Sequence, residues 1–239
     1  MSRPAGRLFG WVLALPVIAL FCGLGTWQLD RARQKEAMLA AAKAVIDDRH
    51  ALPLAAAADP DRGAEYDWAM GEGRFVAAPA ILLDNQNRHG RAGVRAYRVF
   101  QPESGTLPLL VELGWLPLPG DRRLPRVAVP QGEVRVSGLL SPPPSAGIAA
   151  PVATPQADGS LLAIGLDQAV LSEALQLPAL APRVLRLDPA LEFGYERDLD
   201  ILPNTLPPER HLGYAVQWFG LALAVLVTAL VLTLRRRRR

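Results

Sequence analysis

Hydrophobic and polar positions divide the chain into three textures. Leu8 to Leu29 is a run of 22 residues without a charged side chain, and His211 to Leu234 is a run of 24 without acid, Lys or Arg. At about 1.5 Å per helical residue either run reaches roughly 33 Å, enough for a hydrocarbon core of about 30 Å. The pattern therefore predicts transmembrane helices over 8–29 and 211–234, an extramembrane domain over 30–210 and a basic tail over 235–239.

The first helix is expected to outrun the membrane. "DRARQKEAMLAAAKAVIDDRH" is rich in Ala, Leu, Lys and Glu, so helix continues to the region of Asp47, where "ALPLAAAADPDRG" breaks it. From Trp68 the texture becomes short apolar runs bounded by Gly and Pro: "WAMGEGRFV", "AILLDN", "VRAYRVFQP", "LPLLVELGWLP", "EVRVSGLL" and "LLAIG". These read as strands spaced too closely for crossover helices, which implies mostly antiparallel pairing. "LDQAVLSEALQL" has helical spacing with Asp167 as N-cap, and "APRVLRLDP" offers a last strand. "SPPPSAGIAAPVATP" is a proline-rich connection. The fold class is α+β: two transmembrane helices flanking a sheet-dominated, mostly antiparallel extramembrane domain.

Charge changes the picture only after it is divided by region. The net charge is +3, but seven of the 26 basic residues flank the apolar runs, which leaves 19 against all 23 acidic residues in 30–210, a balance of −4. A nucleic-acid partner is thereby excluded, since it needs basic residues clustered on a folded face. The five arginines at 235–239 resist translocation and predict both termini in the cytoplasm and the central domain in the periplasm of a bacterial inner membrane. "CGLGTWQLDRAR" offers no small-residue cleavage site and Phe21 precedes Cys22, so the first helix is expected to stay as an anchor. A single cysteine allows neither an internal disulfide nor a paired-thiolate metal site.

Chemistry is sparse. No G-x-S-x-G, H-E-x-x-H, P-loop or dinucleotide fingerprint is present, which argues against an enzyme, and the carboxylates are scattered. Of three histidines, His50 falls at a helix end and His89 in a turn. His211 stands at the mouth of the second span, and Tyr214 and Trp218 follow at i+3 and i+7 on the same face, while Trp27 reaches the same interface from the first span. With Arg31 and Arg210 nearby, such a pocket suits a flat apolar ring bearing carboxylates, and haem fits: iron accepts an imidazole nitrogen and propionates pair with guanidinium groups. A plain interfacial anchor explains the same aromatic belt. The spacing leaves both readings open.

"GTWQLDRARQKEAML" and "HLGYAVQWFGLA" resemble the two end motifs of the Surfeit-locus cytochrome oxidase assembly family, and "GEGRF" with "LLDNQNRHGRAGVRAYRVFQPESGTLPLLVELGWLP" is similar to its glycine-led sheet, ending in Gly114, Trp115, Leu116 and Pro117. The likeness runs from about Gly25 to Phe219. It implies a two-pass inner-membrane assembly factor for haem-copper terminal oxidase, assisting haem a delivery to, or retention by, the catalytic subunit. The resemblance carries the role of iron ligand to His211, with Tyr214, Gln217 and Trp218 shaping the site and Trp27 and Gln28 opposite. Haem a, transiently bound, is the implied cofactor; the oxidase catalytic subunit, haem a synthase and the lipid bilayer are the implied partners. The alternative is a membrane-anchored scaffold that stabilises an oxidase intermediate without cofactor. Two departures from the family pattern stand out: Leu113, with Glu112 before it, occupies the position before Gly-Trp where a basic residue is common, and Glu209 and Arg210 precede His211 where asparagine is common.

Overall fold

The computed structural model describes residues 3–144, 150–202 and 206–235. Arg236 to Arg239 of the basic tail, and the middle of the proline-rich connection, lie outside the described residues. The chain forms two compact units, Met1–Ala40 with Thr205–Arg239, and Ala41–Asn204.

The first unit pairs two helices. Helix α1 (Arg3–Asp48) is 46 residues long and contains Pro16, while α3 (Pro208–Arg235) starts on a proline whose missing N–H costs nothing in a first helical turn. Both are long and apolar enough to cross a membrane, which fits a two-pass membrane protein. Lipid gives apolar side chains no reason to leave it, so the helices meet through small residues. Ala14, Gly25 and Ala32 of α1 and Ala215 and Ala222 of α3 are buried. A Cβ on Gly25 would stand 2.7 Å from the ring of Phe219, so a larger residue there would have to displace that ring. Trp11 Nε1 donates to Thr233 Oγ1 at 3.2 Å farther along the pair.

Among the described residues the second unit has nine strands: β1 (Ala51–Pro53), β2 (Asp67–Phe75), β3 (Ile81–Arg88), β4 (Arg91–Pro102), β5 (Leu109–Pro117), β6 (Glu133–Ser141), β7 (Ala153–Pro155), β8 (Leu161–Ala163) and β9 (Val184–Leu187). They join in the order β1-β2-β6-β9-β5-β4-β3-β8-β7. Strand β2 also pairs with β4, which closes β2, β6, β9, β5 and β4 into a five-stranded barrel with the other strands as extensions. Closure removes edges that would otherwise recruit foreign strands. Six of the pairings are antiparallel, and β1–β2, β3–β8 and β5–β9 are parallel.

Side-chain alternation gives the sheet two apolar cores. Ala69, Ala96, Phe100, Val111, Val136 and Leu185 belong to the core that fills the barrel. Residues of opposite parity, among them Ile81, Tyr97, Val99, Leu110 and Val184, pack under helix α2 (Gln168–Ala174) through Leu171 and Leu175. Asp167 caps that helix, its Oδ1 accepting from Val170 N at 3.0 Å. In β5 the register slips between Ala96 and Tyr97 of its partner, so Leu113 is an extra residue and Gly114 takes φ +125°. The Gly-Trp pair thus sits on a β-bulge, where glycine supplies the backbone conformation. The end of α1 and Arg49 belong to this unit: Arg49 Nη1 meets Asp188 Oδ2 at 3.0 Å, and the guanidinium lies 4.5 Å from the Trp68 ring centre.

Candidate functional site

Helix periodicity sets the inner stripe of α3. Pro208, His211, Ala215 and Ala222 are buried, at separations of three, four and seven residues. On α1, Gln28 lies three residues after Gly25 and four before Ala32, so it shares their inward face. The two stripes bring His211 Nδ1 to 2.6 Å from Gln28 Oε1. An amide oxygen only accepts, so Nδ1 carries a proton, and in the neutral ring Nε2 is then the nitrogen with the lone pair. The histidine is 7% exposed, and its Nε2 is buried without a hydrogen-bond partner. Close by, Lys35 Nζ donates to the carbonyl of Leu206 and ties α1 to the segment that leads into α3.

The other residues singled out from sequence divide into two groups. Trp218 is half-buried on the same face and its ring centre lies 5.5 Å from that of Phe21. Tyr214 is 40% exposed and Trp27 is 56% exposed. The position facing inward beside His211 belongs to Ala215 instead, because i+4 falls closer to the stripe than i+3 here. Gln217 and Arg210 are exposed, and Arg31 bonds Gln34 of its own helix at 3.2 Å. Chemically the pair leaves one neutral imidazole nitrogen with an available lone pair in apolar surroundings. That donor suits a metal ion, and ligating histidines commonly donate their second N–H to an oxygen in the way His211 does to Gln28.

Sequence reasoning missed a charged cluster in the barrel wall. Glu112 of β5 is 3% exposed. It accepts from Arg95 Nη1 and, at 3.0 Å, from Tyr97 Oη, and Arg186 Nε lies 3.2 Å from its second oxygen. Burial pushes the Glu112 carboxyl up, but the Arg186 and Arg95 charges outweigh it and leave the group below its ordinary value. Burial, and then Glu112, drive the Tyr97 phenol well above its usual range. Arg88 extends the cluster outward through Asp198 and, at 2.7 Å, Glu196. A second knot joins fully buried Arg183 to Asp67 Oδ2 at 2.6 Å, with Arg62 on the other carboxylate oxygen at 2.6 Å. Each knot includes an arginine at or beside β9 that meets a carboxylate far earlier in the chain, so no local pattern could reveal it.

One unit is a sheet barrel with extensions; the other is a pair of apolar helices that fits a two-pass membrane protein and holds one buried imidazole. The SURF1 family profile matches residues 15–223, most of the chain, and the protein belongs to that family. The family is one of assembly factors, associated with cytochrome oxidase. Comparison with curated proteins returns no match.

Proposed function

We propose that this protein binds haem a through His211 and assists its delivery to, or retention by, the catalytic subunit of a haem-copper oxidase. The observation that carries the reading is the division of labour on one ring: Nδ1 engaged by Gln28 at 2.6 Å and Nε2 buried without a partner. A buried polar atom left unsatisfied costs about 1–3 kcal/mol, and an iron ligand bond removes that cost. Gln28 holds the tautomer that presents the lone pair, and Trp218 offers an aromatic edge on the same face. The haem would supply the redox centre of the recipient enzyme; this chain binds, orients and releases it. Because the ring is buried, loading must part neighbouring side chains, which suits a carrier better than a permanent haem protein. In this reading the barrel is periplasmic, both termini are cytoplasmic in a bacterial inner membrane, and haem a synthase is the donor.

The test is a visible spectrum of protein purified from cells that make haem a. A Soret band in the wild type that is lost in His211→Ala, while the barrel stays folded, supports the ligand role; full haem occupancy in His211→Ala removes it. A scaffold without cofactor is the second reading, favoured by the exposure of Trp27 and Tyr214, whose rings are free for a partner helix or lipid. Cross-linking to the oxidase subunit by protein that carries no chromophore would select it.

A further inference from the structure

Among the described residues, the buried and half-buried arginines of the sheet domain are, with one exception, compensated. Arg95 and Arg186 face Glu112, Arg183 faces Asp67, and Arg88 lies between Glu196 and Asp198. Arg197 has no carboxylate partner among the described residues but gives its guanidinium to the carbonyls of Asp188, Leu191, Phe193 and Tyr195. Arg98 is the exception. Among the described residues its guanidinium makes one hydrogen bond, from Nη1 to the carbonyl of Ala78; its Nε is buried without a hydrogen-bond partner, as are those of Arg95, Arg183 and Arg186, but those three have a carboxylate beside them. Among the described residues no carboxylate oxygen comes within ion-pair distance of it. Burial accordingly holds the guanidinium below its ordinary pKa, with no carboxylate to restore it.

The surroundings say what is missing. On β4, Arg98 has the parity of Ala96 and Phe100, and it opens into a cleft of about 490 Å³ walled by Pro79, Pro125, Val127 and Ser160. Arg126 and Asp158 stand on the same cleft. Asp158 is already committed: its Oδ1 accepts from Ser160 N at 3.0 Å and Ser160 Oγ at 2.7 Å, and those bonds keep its carboxyl below the usual range. Two guanidiniums against one fixed carboxylate leave a single positive charge, which calls for a monoanion, and the planar fork of arginine matches the two oxygens of a carboxylate.

We propose that the Arg98 cleft is a carboxylate-binding site, with Arg98 as the anchoring ligand and Arg126 as a flanking charge. The carboxylate is either a free small acid or one borne by a peptide, as a chain terminus or an acidic side chain. This site is separate from His211 and does not rest on the haem reading.

The full chain in detergent micelles, labelled with ¹⁵N at arginine, is titrated with acetate, acetyl-Ala-Ala, acetyl-Ala-Ala amide, acetyl-Glu amide and inorganic phosphate. Saturable displacement of the Arg98 Nε–Hε signal by a carboxylate but not by the neutral acetyl-Ala-Ala amide is the expected result. The tightest of the carboxylates identifies the source. Arg98→Gln is expected to weaken binding about tenfold and Arg126→Gln about two- to threefold, as befits a desolvated and an exposed charge. Arg98→Lys keeps the charge and loses the fork, and should fall between wild type and Arg98→Gln. The proposal is overturned if no probe binds, if the amide or phosphate binds as well as the carboxylates, or if Arg98→Lys and Arg98→Gln both bind like wild type with unchanged melting.

Discussion

Replacing Glu112 by glutamine removes one negative charge from the middle of the barrel wall and leaves two guanidiniums buried beside a neutral amide. Arg95 and Arg186 side chains are 8% and 6% exposed, so water cannot take over the role of the carboxylate. At an effective dielectric of about 20 and a charge separation of about 4 Å, each attraction is worth roughly 4 kcal/mol. Asp198, 3.9 Å from Arg186, returns part of the loss, and the desolvation already incurred by Glu112 returns more. Breaking a buried pair from one side costs about 3–5 kcal/mol in practice, which for a domain of this size lowers the melting temperature by roughly 6–20 °C. The assay is urea or thermal unfolding of the full chain in detergent, followed by the fluorescence of Trp68 and Trp115 with the helix tryptophans replaced by phenylalanine. A loss below about 1 kcal/mol would refute the reasoning. So would an unchanged acid profile. The folded Glu112 carboxyl lies below its ordinary value, so the stability it supplies is complete above the unfolded pKa of about 4.3 and is lost as pH falls through the lower folded value. Glu112→Gln must therefore flatten the decline of stability below about pH 4.5.

Three further outcomes follow from single contacts. Gly138→Ala would place a Cβ 2.0 Å from the carbonyl oxygen of Arg186, across the β6–β9 ladder, and is expected to cost more than about 4 kcal/mol; a protease-resistant barrel in membranes carrying this variant would contradict the barrel closure. Asp167→Ala removes the cap of α2 at a cost of about 1 kcal/mol, or about 2–4 °C in melting temperature, read by the same fluorescence. Alkaline phosphatase inserted in the turn at Pro119 should be active, since the proposed orientation puts the sheet domain outside the cytoplasm, and an inactive fusion with normal protein level would invert it.

Seven of the strands were legible because each is a short apolar run closed by glycine or proline, and α2 because Asp167 precedes a helical period. The extension of α1 to Asp48 followed from Ala, Lys and Glu beyond the apolar run. Strands β1 and β7, three residues each and both containing proline, left no periodic signal and went unseen. The parallel pairings and the β2–β4 closure were equally hidden, because they depend on which strands meet and not on how any one strand reads. Glu112 and Arg186 lie 74 positions apart, so their ion pair is a property of the β5–β9 register. At the helix pair, sequence placed His211 and Gln28 on facing elements but could not foresee their hydrogen bond. It also grouped Trp27 and Tyr214 with the site; those residues are 56% and 40% exposed.

That exposure sharpens the choice between ligand and anchor. A histidine that merely marks the membrane surface gains by keeping both nitrogens in water, and an exposed imidazole on α3 would have served. Here the ring is turned inward, where small residues bring the helices together, and only one nitrogen finds a partner. Asparagine at the same place would offer a donor and an acceptor to Gln28 and leave less unsatisfied. His211→Asn should therefore preserve or raise the stability of the helix pair while abolishing the function that the orphan nitrogen serves. Retained oxidase maturation in that variant would return His211 to the role of a packing residue.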